Sequence, residues 1–342
     1  MYGQYHSALS VVSSCPRVTS VIWPDKSAGP YFDELTVGDT FTGAPGMTLT
    51  SGHAAAHQAV LGDRLRLPLD HALATAVAGA PVAHPALVWD VAIGQSTVVT
   101  QRVRANLFYR GLAFHRYPVL GDTLRTVTEV AGLRENTRRE GRAPTGLAAL
   151  RITTVDQEDR PVLDFWRCAM LPLRSAGPTG HRDDLSRLGT DEPGPPPVGG
   201  WDLTAFRRLP GEHFADLAVG RSWEAVGADV VSAAPELARL TVNIATVHHD
   251  AAAVGGERLV YGGHTIGLAL AQTCRAIPNI VTVASWASCD HTGPVHEGDS
   301  LTSQVSVTEM TPLASGGLVS LRSTVESARG PVLDWRFTVV LA

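Results

Sequence analysis

Two similar halves, each an antiparallel sheet curled around one central helix, are expected from this sequence on three grounds. The chain repeats itself in order, each half contains a glycine-bearing apolar segment, and each closes on runs of alternating residues. The fold class is therefore α+β, with one face of each sheet buried.

The repeat opens on residues 31–38 (YFDELTVG), which return as residues 213–220 (HFADLAVG). Residues 83–95 (AHPALVWDVAIGQ) are answered by 260–272 (VYGGHTIGLALAQ), and both read as central helices. The segment from His264 to Ile277 is apolar nearly all round, with Ile266, Leu268, Leu270, Ala271 and Cys274, as suits a helix enclosed by a sheet. Pro118 to Leu124 matches Pro294 to Leu301, each carrying a Gly-Asp turn that leads into a half-buried strand. Gly146-Leu147 through Arg151 recurs as Gly317-Leu318 through Arg322, and Pro161-Val162-Leu163-Asp164 as Pro331-Val332-Leu333-Asp334. The last strand places Leu333, Trp335, Phe337, Val339 and Leu341 on one side. Between the halves, residues 174–200 are rich in Pro, Gly and charge with little to bury, which predicts a linker crossing the surface. The expected organisation is an extension over 1–30, a first domain over 31–173, a linker over 174–204 and a second domain over 205–342. A helix inside a curled sheet is the hotdog arrangement, so this is a tandem, or double, hotdog whose sheets pair edge to edge.

The 342 residues carry 28 Lys and Arg against 33 Asp and Glu, a net charge of −5, which gives no footprint for nucleic acid. Four cysteines, Cys15, Cys168, Cys274 and Cys289, form no C-x-x-C pair, so they read as free thiols in a reducing, cytoplasmic setting. No apolar run reaches the length of a membrane helix, and the first thirty residues lack the order of a signal peptide.

The second half holds the densest chemistry: Asn243 to Asp250 (NIATVHHD), then Tyr261-Gly262-Gly263-His264, then Asp290-His291. Residues 243–272 resemble the hydratase signature of MaoC-like enzymes, in which an acid precedes a histidine by five positions and a glycine-containing helix start follows. His248 takes the histidine's place, and Asn243 stands where the family usually has Asp. The patterns VHHD, LVYGGHTIGLA and PxxxGDxL are similar to the two-hotdog branch acting on mesaconyl-type thioesters, over roughly residues 30–342 apart from the linker. The resemblance implies a hydro-lyase that adds water reversibly to an enoyl thioester, with a branched or dicarboxylic acyl group as one form of substrate.

Elementary chemistry supports the same roles. Hydration needs a group that moves a proton from water to the α-carbon and donors for the enolate-like oxygen. His248 titrates near neutrality when unperturbed. Gly262 and Gly263 open a helix whose free amides favour developing negative charge, and they form the expected oxyanion hole. Asn243 can hold water through its carbonyl oxygen but cannot take a proton. Tyr261, His264, Asp290 and His291 are candidate substrate contacts, although structural hydrogen bonding would also account for the two histidines. No lysine or arginine is placed to receive a second carboxylate.

In the first half the matching stretch, residues 61–70, keeps an acid at Asp63 but has Pro68 in the histidine's place. That half is expected to shape the pocket, with Asp63 as a turn or capping residue. His249 and Asp250 are too close in sequence to converge on one ion, and neither a metal nor any cofactor is expected beyond CoA or pantetheine as part of the substrate. The basic stretch 134–142 reads as a solvated loop, with docking of a CoA phosphate or an acyl carrier protein as the alternative. The partners are a small acyl thioester, with no nucleic acid and no membrane, for a monomer or homodimer. A hotdog thioesterase and a non-catalytic acyl-binding subunit remain the competing readings, the second favoured by Asn243.

Overall fold

The computed structural model describes residues 28–189 and 194–342. The expected extension and Cys15 fall largely outside them. The first half contains β1 (Thr40–Phe41), β2 (Met47–Thr48), α1 (Ser51–Leu61), α2 (Arg66–Leu69), α3 (His71–Ala78), α4 (Pro85–Gln95) and α5 (Thr97–Thr100). Long strands β3 (Ala105–Phe114), β4 (Thr123–Glu135), β5 (Thr145–Val155) and β6 (Pro161–Pro172) complete it. After α6 (Thr204–Arg207) the second half runs through β7 (Ser222–Glu224), β8 (Asp229–Val230), α7 (Ala234–Leu240) and α8 (Gly262–Ala276). It closes with β9 (Ile280–His291), β10 (Ser300–Leu313), β11 (Gly316–Ser327) and β12 (Gly330–Leu341).

All the long strands share one sheet, in the order β1-β4-β5-β6-β3-β9-β12-β11-β10-β7. Reading outward from the centre, β3, β6, β5, β4 and β1 correspond to β9, β12, β11, β10 and β7, so the halves are related by a pseudo-twofold axis. The seam is the antiparallel pairing of β3 with β9, where Phe108 faces Asp290 and Leu112 faces Trp286. An ion pair from Arg110 to Asp290 at 2.6 Å crosses it. Every residue of α4 is buried, as are residues 263–274 of α8. Trp89 of α4 packs against Trp286 and Trp335 of the second half, with ring centroids 4.7 and 6.3 Å apart. Truncating such a buried ring typically costs about 3–5 kcal/mol, so this cluster holds the halves together.

The packing explains why the repeated residues recur. Phe32 lies over Gly146 so closely that a Cβ there would come within 2.5 Å of the ring, and Phe214 covers Gly317 in the same way. Gln95, at the end of α4, donates to the Leu124 carbonyl at 2.9 Å, and Gln272 of α8 donates to Leu301 at 2.8 Å. Asp122 and Asp299 each accept from a backbone amide three residues earlier, closing the two Gly-Asp turns. Arg151 with Asp164, and Arg322 with Asp334, form matching cross-strand pairs.

The linker departs from expectation. It is strapped to the outer face of the sheet's first half, where Leu185 is buried on Leu147, Ala149 and Cys168. Asp183 exchanges hydrogen bonds with Leu133 of β4. Val198 and Leu203 are buried as well. A few apolar residues among many Pro and Gly suffice, because the outer face of β5 and β6 is itself apolar and needs a cover.

Candidate active site

The loop after α7 carries Asn243 and His248. Val242, just before Asn243, adopts a left-handed backbone with φ +54°, a costly conformation for a β-branched residue. Surrounding bonds hold it there. The Asn243 amide donates to the Ala238 carbonyl at 2.9 Å, its Oδ1 accepts from Ala245 at 3.0 Å, and its carbonyl accepts from His249 Nε2 at 2.7 Å. The first half clamps the same loop: Ile244 donates to Thr97 Oγ1 and Thr246 to the Gln101 carbonyl, both at 2.9 Å. Gly94 of α4 lies beneath it, and a methyl group on Gly94 would overlap the Thr241 carbonyl oxygen.

This arrangement aims both predicted residues into one cavity of about 330 Å³, shared by Tyr261, Gly262 and His291 of the second half and by Tyr109 and Arg167 of the first. His248 Nδ1 lies 2.8 Å from the Leu259 carbonyl and so carries the proton, which leaves Nε2 as an acceptor. Burial, with smaller contributions from His249, Arg167 and His291, pushes the His248 pKa down to about 4, so the ring is neutral at pH 7. His291 is likewise held at about 4, by burial and by Arg167. Gly262 is the first residue of α8 and its amide has no acceptor among the described residues; an added Cβ would sit 2.6 Å from His291 Nε2. The Asn243 side-chain oxygen, expected to hold water, accepts from the Ala245 amide, and the side-chain NH₂ is the group left to donate.

Several expectations are corrected. Asp290 does not line the cavity, because alternation along β9 turns it to the opposite face from His291, where it pairs with Arg110. His264 is fully buried outside the cavity, with neither ring nitrogen bonded, and burial together with nearby His57 depresses its pKa to about 4. Tyr261 lines the cavity with its ring, but its hydroxyl points away to Asp90 Oδ1 at 3.0 Å. Gly263 packs beneath Asp90 and the Tyr261 ring rather than facing the cavity. In the first half, Asp63 repeats the Asn243 turn by accepting from Leu65 at 2.6 Å, and it also pairs with His84 at 2.9 Å. No group of three or more metal-binding side chains occurs among the described residues, and none of their helices is long and apolar enough to cross a membrane.

Sequence reasoning missed Gly94, Thr97 and Arg167. A signal existed for the last. Arg167 takes an inward position between buried Phe165 and Ala169, and the repeat puts buried Phe337 at the matching place in the second half.

No family model matches the chain. A solved structure, RV0216 of Mycobacterium tuberculosis, described as a conserved hypothetical protein with a double hotdog fold, is 55% identical. It superposes with a TM-score of 0.87 over 92% of this chain and 99% of that one. The chain belongs to the same double-hotdog family as RV0216. Among curated relatives, β-methylmalyl-CoA dehydratase of Chloroflexus aurantiacus is 28% identical over 80% of both chains. Mesaconyl-CoA hydratase of Cereibacter sphaeroides is 27% identical over 86% of this chain and 88% of its own length. A MaoC domain dehydratase structure from Chloroflexus aurantiacus, at 24% identity and TM-score 0.83, shares the fold.

Proposed function

We infer that this protein is a hydro-lyase that adds water reversibly across the 2,3-double bond of an enoyl-CoA, giving a 3-hydroxyacyl-CoA. The observation that carries this reading is His248, neutral and with Nε2 unbonded among the described residues, in one cavity with the unpaired amide of Gly262. The names of the two curated relatives support the same reaction class.

Water held by the Asn243 NH₂ attacks C3 while His248 Nε2 takes its proton. Electron density moves onto the thioester oxygen, where the Gly262 amide and the α8 dipole stabilise it. His248 then returns the proton to C2 on the same face, so addition is syn and the histidine ends as it began. No electrons leave or enter, so the chemistry requires no redox cofactor. The cavity volume suits a short acyl group, branched or dicarboxylic, rather than a long chain. Free, buried Cys168, Cys274 and Cys289 are in keeping with a cytoplasmic setting.

Asn243 favours a second reading, an acyl-CoA binder without turnover. Following the loss of enoyl absorbance with a panel of short enoyl-CoA thioesters separates the two. Hydration supports the hydro-lyase; tight binding without absorbance change supports the binder; release of free CoA would indicate a thioesterase instead.

A further inference from the structure

We propose that Arg167 is the receptor for a carboxylate carried by the acyl group, and therefore that the substrates of this site are acyl-CoA thioesters bearing a second, distal acid. Arg167 lies on β6 at 3% exposure and lines the same cavity as Asn243 and His248. Its guanidinium rests in a cradle of neutral oxygens: Nε donates to Asn106 Oδ1 at 3.1 Å, one terminal nitrogen to Ser96 Oγ at 2.6 Å and the other to Thr100 Oγ1 at 3.3 Å. Among the described residues, no carboxylate pairs with it. Asp90, the buried acid of α4, is committed to Tyr261 and to His57.

Arginine has five N–H donors, and three are used, so each terminal nitrogen keeps one. A guanidinium with an N–H left on each terminal nitrogen has donors for the two oxygens of a carboxylate. A buried cation without a counter-ion is costly unless an anion arrives to meet it. Packing does not require the charge, because the repeat fills the equivalent position with Phe337. The amide at Asn243 fits the same logic: an aspartate there would bring a competing anion into the cavity, whereas Asn243 leaves the guanidinium to the ligand. The nucleotide phosphates of CoA are an unsuitable partner, since a cavity of about 330 Å³ that already receives the acyl group has no room for them.

The inference rests on the hydro-lyase reading for turnover but not for binding, and binding therefore decides it. Succinyl-CoA and butyryl-CoA differ by a carboxylate in place of a methyl group, and neither can be hydrated. Calorimetry on the full chain should show succinyl-CoA bound at least about tenfold more tightly, a preference lost in Arg167→Met and partly kept in Arg167→Lys. Equal affinity of the wild type for both would overturn the proposal. So would an equal loss for both in Arg167→Met, which would mean that the guanidinium reads the thioester or supports the fold. Should Arg167→Met fail to fold, the wild-type ratio decides. In parallel, mesaconyl-CoA and its methyl isostere 2-methylcrotonyl-CoA test turnover. Hydration without carboxylate preference would sink the Arg167 assignment and spare the hydro-lyase; selective binding with no hydration of either would do the reverse.

Discussion

The backbone amide of Ile244 donates to the hydroxyl of Thr97 at 2.9 Å, so a side chain of the first half holds the loop that carries Asn243 and His248 in the second. The same hydroxyl donates to the Gly94 carbonyl, which fixes its orientation. The half that has Pro68 in the signature histidine's place thus helps to position the loop of the other.

Thr97→Val removes the acceptor while keeping the shape, and it is expected to lower kcat by about tenfold with a loss of about 1–3 kcal/mol in stability from the unpaired amide. Gly94→Ala should be worse for activity, because its methyl group displaces the Thr241 carbonyl and the loop with it. Steady-state kinetics beside urea denaturation measure both. Unchanged kcat in the two variants would show that the loop is placed by the second half alone.

His248→Ala should reduce hydration by roughly two to four orders of magnitude with folding intact. Asp63→Asn should leave turnover within a few-fold, since Pro68 offers the first half no proton carrier, but it should reduce stability. Burial pushes the Asp63 pKa up, yet the charge and hydrogen bond of His84 and the Leu65 amide outweigh this and hold it below the ordinary carboxylate value. The reverse pattern, with Asp63→Asn inactive and His248→Ala unaffected, would place the reaction in the other half.

Acid should switch off turnover and stability over different ranges. As the base, His248 must be neutral, so kcat/KM is expected to rise through about pH 4 and stay flat toward neutrality. His248, His264 and His291 all lie near 4 when folded and near the usual 6.5 when unfolded. Between these limits the unfolded chain binds more protons, so stability is full above about pH 6.5 and falls as pH drops toward 4, by on the order of 1 kcal/mol per unit for each ring. Urea midpoints from pH 4.5 to 7.5 test this, and a flat profile would contradict the burial of the three rings.

Asn243→Asp is expected to fold, because a carboxylate oxygen can accept the Ala245 amide as the present oxygen does. It should keep or raise hydration of an uncharged enoyl-CoA and weaken binding of succinyl-CoA by about tenfold, as a second anion enters the cavity. Collapse of turnover in a folded variant would show that the site depends on the neutral amide.

Much of the architecture was legible because duplication wrote it twice. Phe32 over Gly146, Gln95 at the Leu124 carbonyl and the Gly-Asp turns each recur, and a contact that recurs leaves a mark in the sequence. The convergence of Asn243, His248 and Gly262 on one cavity was legible for a related reason, since one loop and one helix start lie within a single known signature, whereas His291 stood outside it as a candidate contact only. The contributions of Gly94, Thr97 and Arg167 were hidden because they come from the half whose signature is degenerate, and only the fold brings them across. Asp290 misled through adjacency: next to His291 in sequence, it must stand on the other side of a strand. The linker misled through composition, since its few apolar residues were outnumbered though sufficient.

The seam between β3 and β9 joins two pieces of one chain, and the cavity draws its walls from both sides of that joint. A site assembled from separate subunits empties on dilution as its parts drift away, whereas a covalent connection keeps the effective concentration of each part around the other fixed. Among the described residues, the two walls of this cavity therefore stay together at any protein concentration. With the two sides no longer identical copies, each wall could diverge separately, His248 standing on one and Arg167 on the other.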